Sequence, residues 1–167
     1  MKTLTLAPKP LTVEDFAPFG DVIEASDNAH QFLINEDKTI RFHRLATVEA
    51  DGGKAIINIF RSSPIELPFT IRMMERHPIG SQAFFPLGQK PCLVMVAPPG
   101  EFDPTQVEVF IAQPGQGFNF RKGVWHHYCT TLEEPSDFLV VDRGGEGHNL
   151  DEVMLVDDYQ TEITVDF

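Results

Sequence analysis

The sequence predicts an all-β protein, about ten short strands closed as a barrel or jelly roll, with one or two short helices. Three observations lead there. The chain holds 13 Pro and 12 Gly, which interrupt it every few residues and leave runs that suit strands better than helices. Those runs are rich in β-branched and aromatic residues, and Phe alone occurs 14 times; such side chains fit a pleated, half-buried surface. The stretch from Phe69 onward follows strand period, with side chains at i, i+2 and i+4 on one face. Closure into a barrel removes the exposed edges that an open sheet would present.

The elements follow in chain order. Thr3–Leu6 alternates as a short edge strand. Thr12 is placed to cap a helix whose first turn carries Glu14 and Asp15, and Pro18 and Gly20 end it within two turns. Asp21–Glu24 reads as a strand. Ser26–Lys38 is polar and irregular apart from Phe32-Leu33-Ile34, a surface loop or a lid. Thr39–Val48 mixes strand formers with cations around Arg41-Phe42-His43-Arg44, and Asp51-Gly52-Gly53 is a turn. Lys54–Arg61 is apolar on both faces, which predicts a strand buried on both sides. Pro91–Ala97, Gln106–Ala112 and Ser136–Arg143 are further strands, separated by Pro98-Pro99-Gly100 and by the turn Gln113–Gly117. The tail from Glu146 is acidic, with a terminal strand at Thr161–Phe167. No internal repeat divides the chain, and 167 residues suit one domain spanning 1–167.

Composition excludes several function classes. A net charge of −12 and a pI near 4.8 repel phosphate backbones, and no Lys/Arg cluster offers a local exception, so nucleic acid is not an expected partner. No apolar run approaches the ~20 residues of a membrane helix. The first ten residues lack a continuous apolar stretch and a small-residue cleavage site, which points to a cytoplasmic protein. Cys92 and Cys129 form no C-x-x-C and read as small buried hydrophobes.

The chemistry gathers in Phe69–Gly88. At strand period one face carries Phe69, Ile71, Met73, Glu75 and His77, so an apolar face ends in a carboxylate and an imidazole. Burying a carboxylate without a partner is costly. The pair is either a satisfied ion pair at a polar rim or a ligand or catalytic pair at a barrel mouth. Arg61 ends the neighbouring Ile57–Ile59 face. It is either a snorkelling rim residue or a bidentate receiver for a carboxylate.

Two spacings tie these residues to a second segment. Glu75-x-His77, Gln82 and Gly88 resemble the first cupin motif, with Glu75 and Gln82 replacing the usual His and Glu. Gly115-x5-Arg121-x-Gly123-x2-His126-x3-Thr130 resembles the second, with Arg121 for Pro and Thr130 for Asn. The resemblance implies a single cupin-like jelly-roll domain in which Glu75, His77, Gln82 and His126 converge at the barrel mouth. Four N/O donors from two hairpins can fix a divalent ion and leave positions open for substrate. A neutral amide is a weaker ligand than a carboxylate, so a metal-free acid–base cluster is the alternative.

A closer resemblance is to the ureidoglycolate lyase family. It is carried by Phe19–Glu24, the strand ending in Arg61, Glu75–Pro86, Val124–His127 and Asp137–Gly145, in order along the chain. This implies cleavage of (S)-ureidoglycolate to glyoxylate and urea in allantoin and purine breakdown, by a cytoplasmic homodimer with which nickel is associated. Such a cleavage needs a base for the hydroxyl proton, an acid for the leaving nitrogen and a receiver for the carboxylate. Glu75 or His126 is then the base, and His77 the acid or a metal ligand. Gln82 orients the ureido group, and Arg61 and Lys122 are the carboxylate candidates. His127 and Trp125, on the opposite strand face from His126, read as structural. Asp142, Arg143, His43 and Arg44 are secondary candidates. A ureidoglycolate amidohydrolase, another metal-dependent cupin isomerase and a non-catalytic sensor are the competing functions.

Overall fold

Strand alternation in Cys92–Ala97 explains the layering. The computed structural model describes residues 1–167, and every residue of this strand is buried. Cys92, Val94 and Val96 point into one apolar cluster with Phe84, Phe110, Phe118, Phe120 and Phe138. Leu93, Met95 and Ala97 point the other way, into a second cluster with Ile71, Met74, Trp125, Leu155 and Ile163. One strand therefore serves two cores, and side-chain period two sorts its residues between them.

Three sheets enclose these cores. One is antiparallel and runs Gly20–Ile23, Gly117–Phe120, Gln82–Pro86, Ser136–Gly144 and Lys54–Ser62. Facing it across the first cluster is a sheet of Asp151–Met154, Met73–Arg76, Trp125–His126, Cys92–Ala97, Glu108–Ala112 and Lys9–Pro10, with Thr130–Thr131 also paired to Cys92–Ala97. A third layer of Lys2–Leu6, Thr161–Val165 and Phe69–Ile71 covers the second cluster. The result is all-β, with two short helices, as the sequence predicts. Thr12 caps the first, Val13–Phe16, its Oγ1 accepting from the Asp15 N–H at 3.1 Å.

Three expectations are corrected, and the tail, whose terminal strand forms at Thr161–Val165, holds two further elements. Lys54–Ser62 is not buried on both sides: it is the edge strand of its sheet, no layer lies outside it, and Ile57 and Ile59 are 72% and 56% exposed. The Phe69–His77 face is not continuous. The strand breaks at Arg72, so Ile71 joins Met74 in the outer cluster while Glu75 faces the other side. Ser26–Lys38 is not plain loop, because Gln31–Ile34 pairs with Thr39–Phe42 in a hairpin. Its turn is made by Asn35, Glu36 and Asp37, all at positive φ, a conformation that short polar side chains tolerate best. The tail contributes a strand, Asp151–Met154, and a helix, Leu155–Tyr159, that its acidity concealed.

Candidate active site

Register brings the two motif segments together. His126 stands directly opposite Glu75 in the antiparallel pair of Trp125–His126 with Met73–Arg76. His77 lies two residues beyond Glu75 and shares its face. Between the segments Gly123 takes φ 81°, a conformation open to glycine, and its N–H donates to the His77 carbonyl at 2.8 Å. The Glu75 Oε1 then lies 4.0 Å from His77 Nε2 and 3.9 Å from His126 Nδ1, beyond hydrogen-bond reach of both.

Each imidazole is fixed by its surroundings. His77 Nδ1 lies 2.8 Å from the Asn149 carbonyl, which holds the ring from behind and turns Nε2 toward the Glu75 carboxylate. His126 Nδ1 lies 3.2 Å from the His127 carbonyl, and its ring stacks on Phe120 at 4.3 Å and 7°. Both Nε2 atoms are buried without a hydrogen-bond partner. Since nearly all buried polar atoms are satisfied, an unpartnered His77 Nε2 4.0 Å from a carboxylate, with His126 Nε2 unpartnered in the neighbouring ring, marks a place built for something else.

The electrostatics agree with the burial. Desolvation pushes the Glu75 carboxyl above its ordinary value, with Glu152 adding to the shift and His77 opposing it. Burial, helped by the neighbouring His77, lowers His126 to about 3, so its imidazole is neutral at neutral pH. Glu75 and His126 are therefore not an ion pair.

The donor set fits a divalent metal. One ligand atom from each of Glu75, His77 and His126 lies within 4.8 Å of the others, and both Nε2 atoms are unpartnered. Imidazole with carboxylate suits borderline ions such as nickel, zinc or iron. The carbonyls behind His77 and His126 supply the outer hydrogen bonds that ligating histidines require.

A cavity of about 280 Å³ opens beside Glu75, walled by Phe60, Ser62, Gln82, Phe84, Tyr128 and Cys129, with Arg61 at its edge. Gln82, from the sequence set, is buried here; its Nε2 donates to Asp142 Oδ2 at 3.2 Å. Arg61 is less committed to the cavity than its strand position suggests. Its side chain is 77% exposed, and Nε and Nη2 bind the two Asp137 oxygens at 2.8 and 3.0 Å. Lys122 is not brought to the cavity wall: its Nζ binds Asp51. His43 sits instead among His30 and Phe32 at the hairpin. Arg143 clamps the carbonyls of Asp51, Gly145 and Glu146. His127 faces the outer side, edge-on to Phe69. Burial raises the Cys129 thiol to about 12, and that of Cys92 is raised as well, so both behave as the hydrophobes the sequence suggests.

Sequence reasoning missed Asn149, Tyr128 and Asn58. Asn149 acts through its backbone carbonyl, which carries no residue-type signal. Tyr128 reaches the cavity only because the chain turns after the short Trp125–His126 strand. Asn58 was visible as the single polar interior residue of an apolar run, and its Nδ2 donates to Asp142 Oδ1 at 3.0 Å.

Comparison with known proteins bears on this arrangement. The family described as ureidoglycolate lyase matches residues 3–162. A ureidoglycolate lyase of Pseudomonas entomophila is 54% identical over 155 residues, covering 91% of each chain. One of Burkholderia mallei is 51% identical over 154 residues, covering 91% of this chain and 89% of the relative. One of Stutzerimonas stutzeri is 51% identical over 163 residues, covering 96% and 94%. Among solved structures, a Bacillus subtilis oxalate decarboxylase studied for its Mn(II) centres aligns with 64% of this chain and 29% of its own, at TM-score 0.39 and 16% identity. With half of all positions shared along nearly the full length of such relatives, and the family's pattern matched over residues 3–162, this chain belongs to the ureidoglycolate lyase family.

Proposed function

We propose that the chain is a ureidoglycolate lyase that cleaves (S)-ureidoglycolate to glyoxylate and urea, a step of allantoin and purine breakdown. The observation that carries the chemistry is the Glu75 carboxylate, out of hydrogen-bond reach of two imidazoles whose buried Nε2 atoms are unpartnered, at the wall of a cavity sized for a small acid.

The substrate is a hemiaminal bearing a carboxylate and a ureido group on one carbon. Glu75 takes the hydroxyl proton. The oxygen electrons form the new C=O bond, the C–N bond breaks, and its electron pair leaves on the urea nitrogen. That nitrogen takes up one proton, so the reaction consumes no water and is neutral in protons. A raised carboxyl suits both halves of this exchange, because a group poised nearer neutrality accepts and returns a proton more readily. His126, lowered to about 3, is too weak a base to compete with it. His77 stands on the same face and assists the return of the proton. Gln82 receives the ureido group. Arg61, with Nη1 outside its bond to Asp137, is preferred to Lys122 for the carboxylate, and R61A should raise KM while largely sparing kcat. A divalent ion held by Glu75, His77 and His126 beside Gln82 would supply Lewis-acid polarisation of the hydroxyl or carboxylate oxygen.

The same reading places the enzyme in the cytoplasm as one domain over residues 1–167 and as a homodimer, without nucleic-acid partners. The excess negative charge and the uncovered Ile57–Ile59 face support it. No helix is long and apolar enough to cross a membrane. Sedimentation equilibrium should give twice 18.8 kDa. For the activity, purified protein is incubated with racemic ureidoglycolate and its products are quantified. Half conversion to equimolar glyoxylate and urea is expected. Ammonia and carbon dioxide in place of urea would assign the amidohydrolase reaction instead.

A further inference from the structure

We infer that Asp142, backed by Asn58, sets the polarity of the Gln82 amide and so makes the cavity selective for ureido acids over acylamino acids. This rests on the proposed substrate class and adds a positioning residue to it. Asp142 lies on the strand beside Gln82, and its carboxylate, an acceptor only, binds two amides. Asn58 Nδ2 donates to Oδ1 at 3.0 Å and Gln82 Nε2 donates to Oδ2 at 3.2 Å. Strand period puts all three on the barrel side: Asn58 pairs with Val140, and Asp142 is two residues beyond it on the same face.

A glutamine amide can present either its oxygen or its nitrogen to a ligand. Here the nitrogen is engaged with a carboxylate that cannot donate. Turning the amide over would set Oε1 against Asp142 Oδ2, two acceptors in contact, so the orientation is fixed. Gln82 is buried at the cavity wall, and its Oε1 is the group left for a ligand. An acceptor at that place suits a ligand with N–H bonds to give, as a ureido group has at both nitrogens. With the terminal NH2 as the group that meets it, an acyl analogue is penalised, because the methyl in that place leaves the oxygen unpaired.

Two inert ligands read this out without turnover. N-Carbamoylglycine keeps the ureido group and the carboxylate but lacks the hydroxyl, so it cannot be cleaved; N-acetylglycine replaces the terminal NH2 by a methyl. Calorimetric titration of the wild type should favour N-carbamoylglycine by ~10-fold or more, the scale of one buried acceptor left unpaired. D142N, whose side chain can donate or accept, removes the orientational constraint and should bring the ratio within about twofold. Q82E alone sets two carboxylates in contact and should weaken binding of both ligands. The swapped variant Q82E/D142N restores one N–H···O bond between the positions and leaves an acceptor for the ligand, so the preference should return. A merely structural role for Asp142 would move stability or both affinities together, not their ratio. Wild-type discrimination retained in D142N, or not recovered in the swap, overturns the inference. Because the swap keeps the bond, it decides the matter even if D142N folds poorly. Discrimination by a wild type that yields no glyoxylate would support this inference while removing the lyase reading; glyoxylate production without discrimination would do the reverse.

Discussion

His126 and His127 are neighbours in sequence, both buried, both with lowered pKa, and they do different things. His126 points into the inner core beside Glu75 and His77, and its Nε2 has no partner. His127 points into the outer layer, edge-on to Phe69, with Nδ1 on the Tyr128 carbonyl at 3.0 Å. Burial depresses both, His126 to about 3 and His127 to about 4. A shifted pKa therefore does not by itself identify the functional imidazole. What separates the two is convergence: on one side of the sheet, ligand atoms of Glu75, His77 and His126 lie within 4.8 Å of one another; on the other, the ring is absorbed by packing.

The sharpest way to break this contrast is at its inner end. E75Q removes the carboxylate with little change of shape, and kcat for glyoxylate release should fall by ~10²-fold or more, the scale of a lost acid–base group. An undiminished kcat would take Glu75 out of the mechanism. Next is the histidine pair itself. H126N removes one donor of the Glu75–His77–His126 set and should lower kcat by ~10-fold or more, while H127N stays within about threefold, its cost appearing instead as lower thermal stability. Equal losses in the two would dissolve the distinction between the faces. Metal binding sharpens it further. Nickel at a hundredfold excess over its Kd should raise unfolding free energy by about 2.7 kcal/mol, and thermal scans should show the shift kept in H127N and abolished in H77A.

The contrast disappears in acid stability, where both histidines act alike. Each is neutral in the folded chain down to its depressed pKa, whereas the unfolded chain protonates near 6.5. Their contribution to stability is complete above pH 6.5 and is lost as pH falls toward 4 and then 3. Each contributes a slope of up to about 1.4 kcal/mol per pH unit within that window. Glu75 has the opposite sign, since its raised value favours the folded state at low pH and loses that contribution as pH rises through it. Urea midpoints should therefore drop between pH 6.5 and 4, and H127N should flatten the drop by one proton's slope. A midpoint that is flat over this range in the wild type would contradict the neutral, buried assignment.

Much of this was legible in the sequence because it rests on short-range rules. Thr12 followed by two acids reads as a cap, and the structure makes that hydrogen bond. The meeting of Glu75, His77, Gln82 and His126 was implied by the resemblance to the two cupin motifs, whose spacing the chain keeps, while period two by itself paired only Glu75 with His77. Long-range layering was not legible. An apolar run such as Lys54–Ser62 looks the same whether a sheet covers its outer face or nothing does, and here nothing does. The break at Arg72 shifts Ile71 to the other core, and no Pro or Gly announces it. Asp142 alternates with Arg143 on its strand, but only sheet order shows that its neighbour is Gln82. The Asn149 carbonyl that holds His77 is a backbone group from a loop 72 residues away.

The most direct test of the central claim is the product balance of ureidoglycolate turnover by the purified wild-type chain. Glyoxylate and urea in equal amounts, with no ammonia, is the expected result for a Glu75-centred C–N cleavage. Ammonia with carbon dioxide, or no glyoxylate at all, would contradict it.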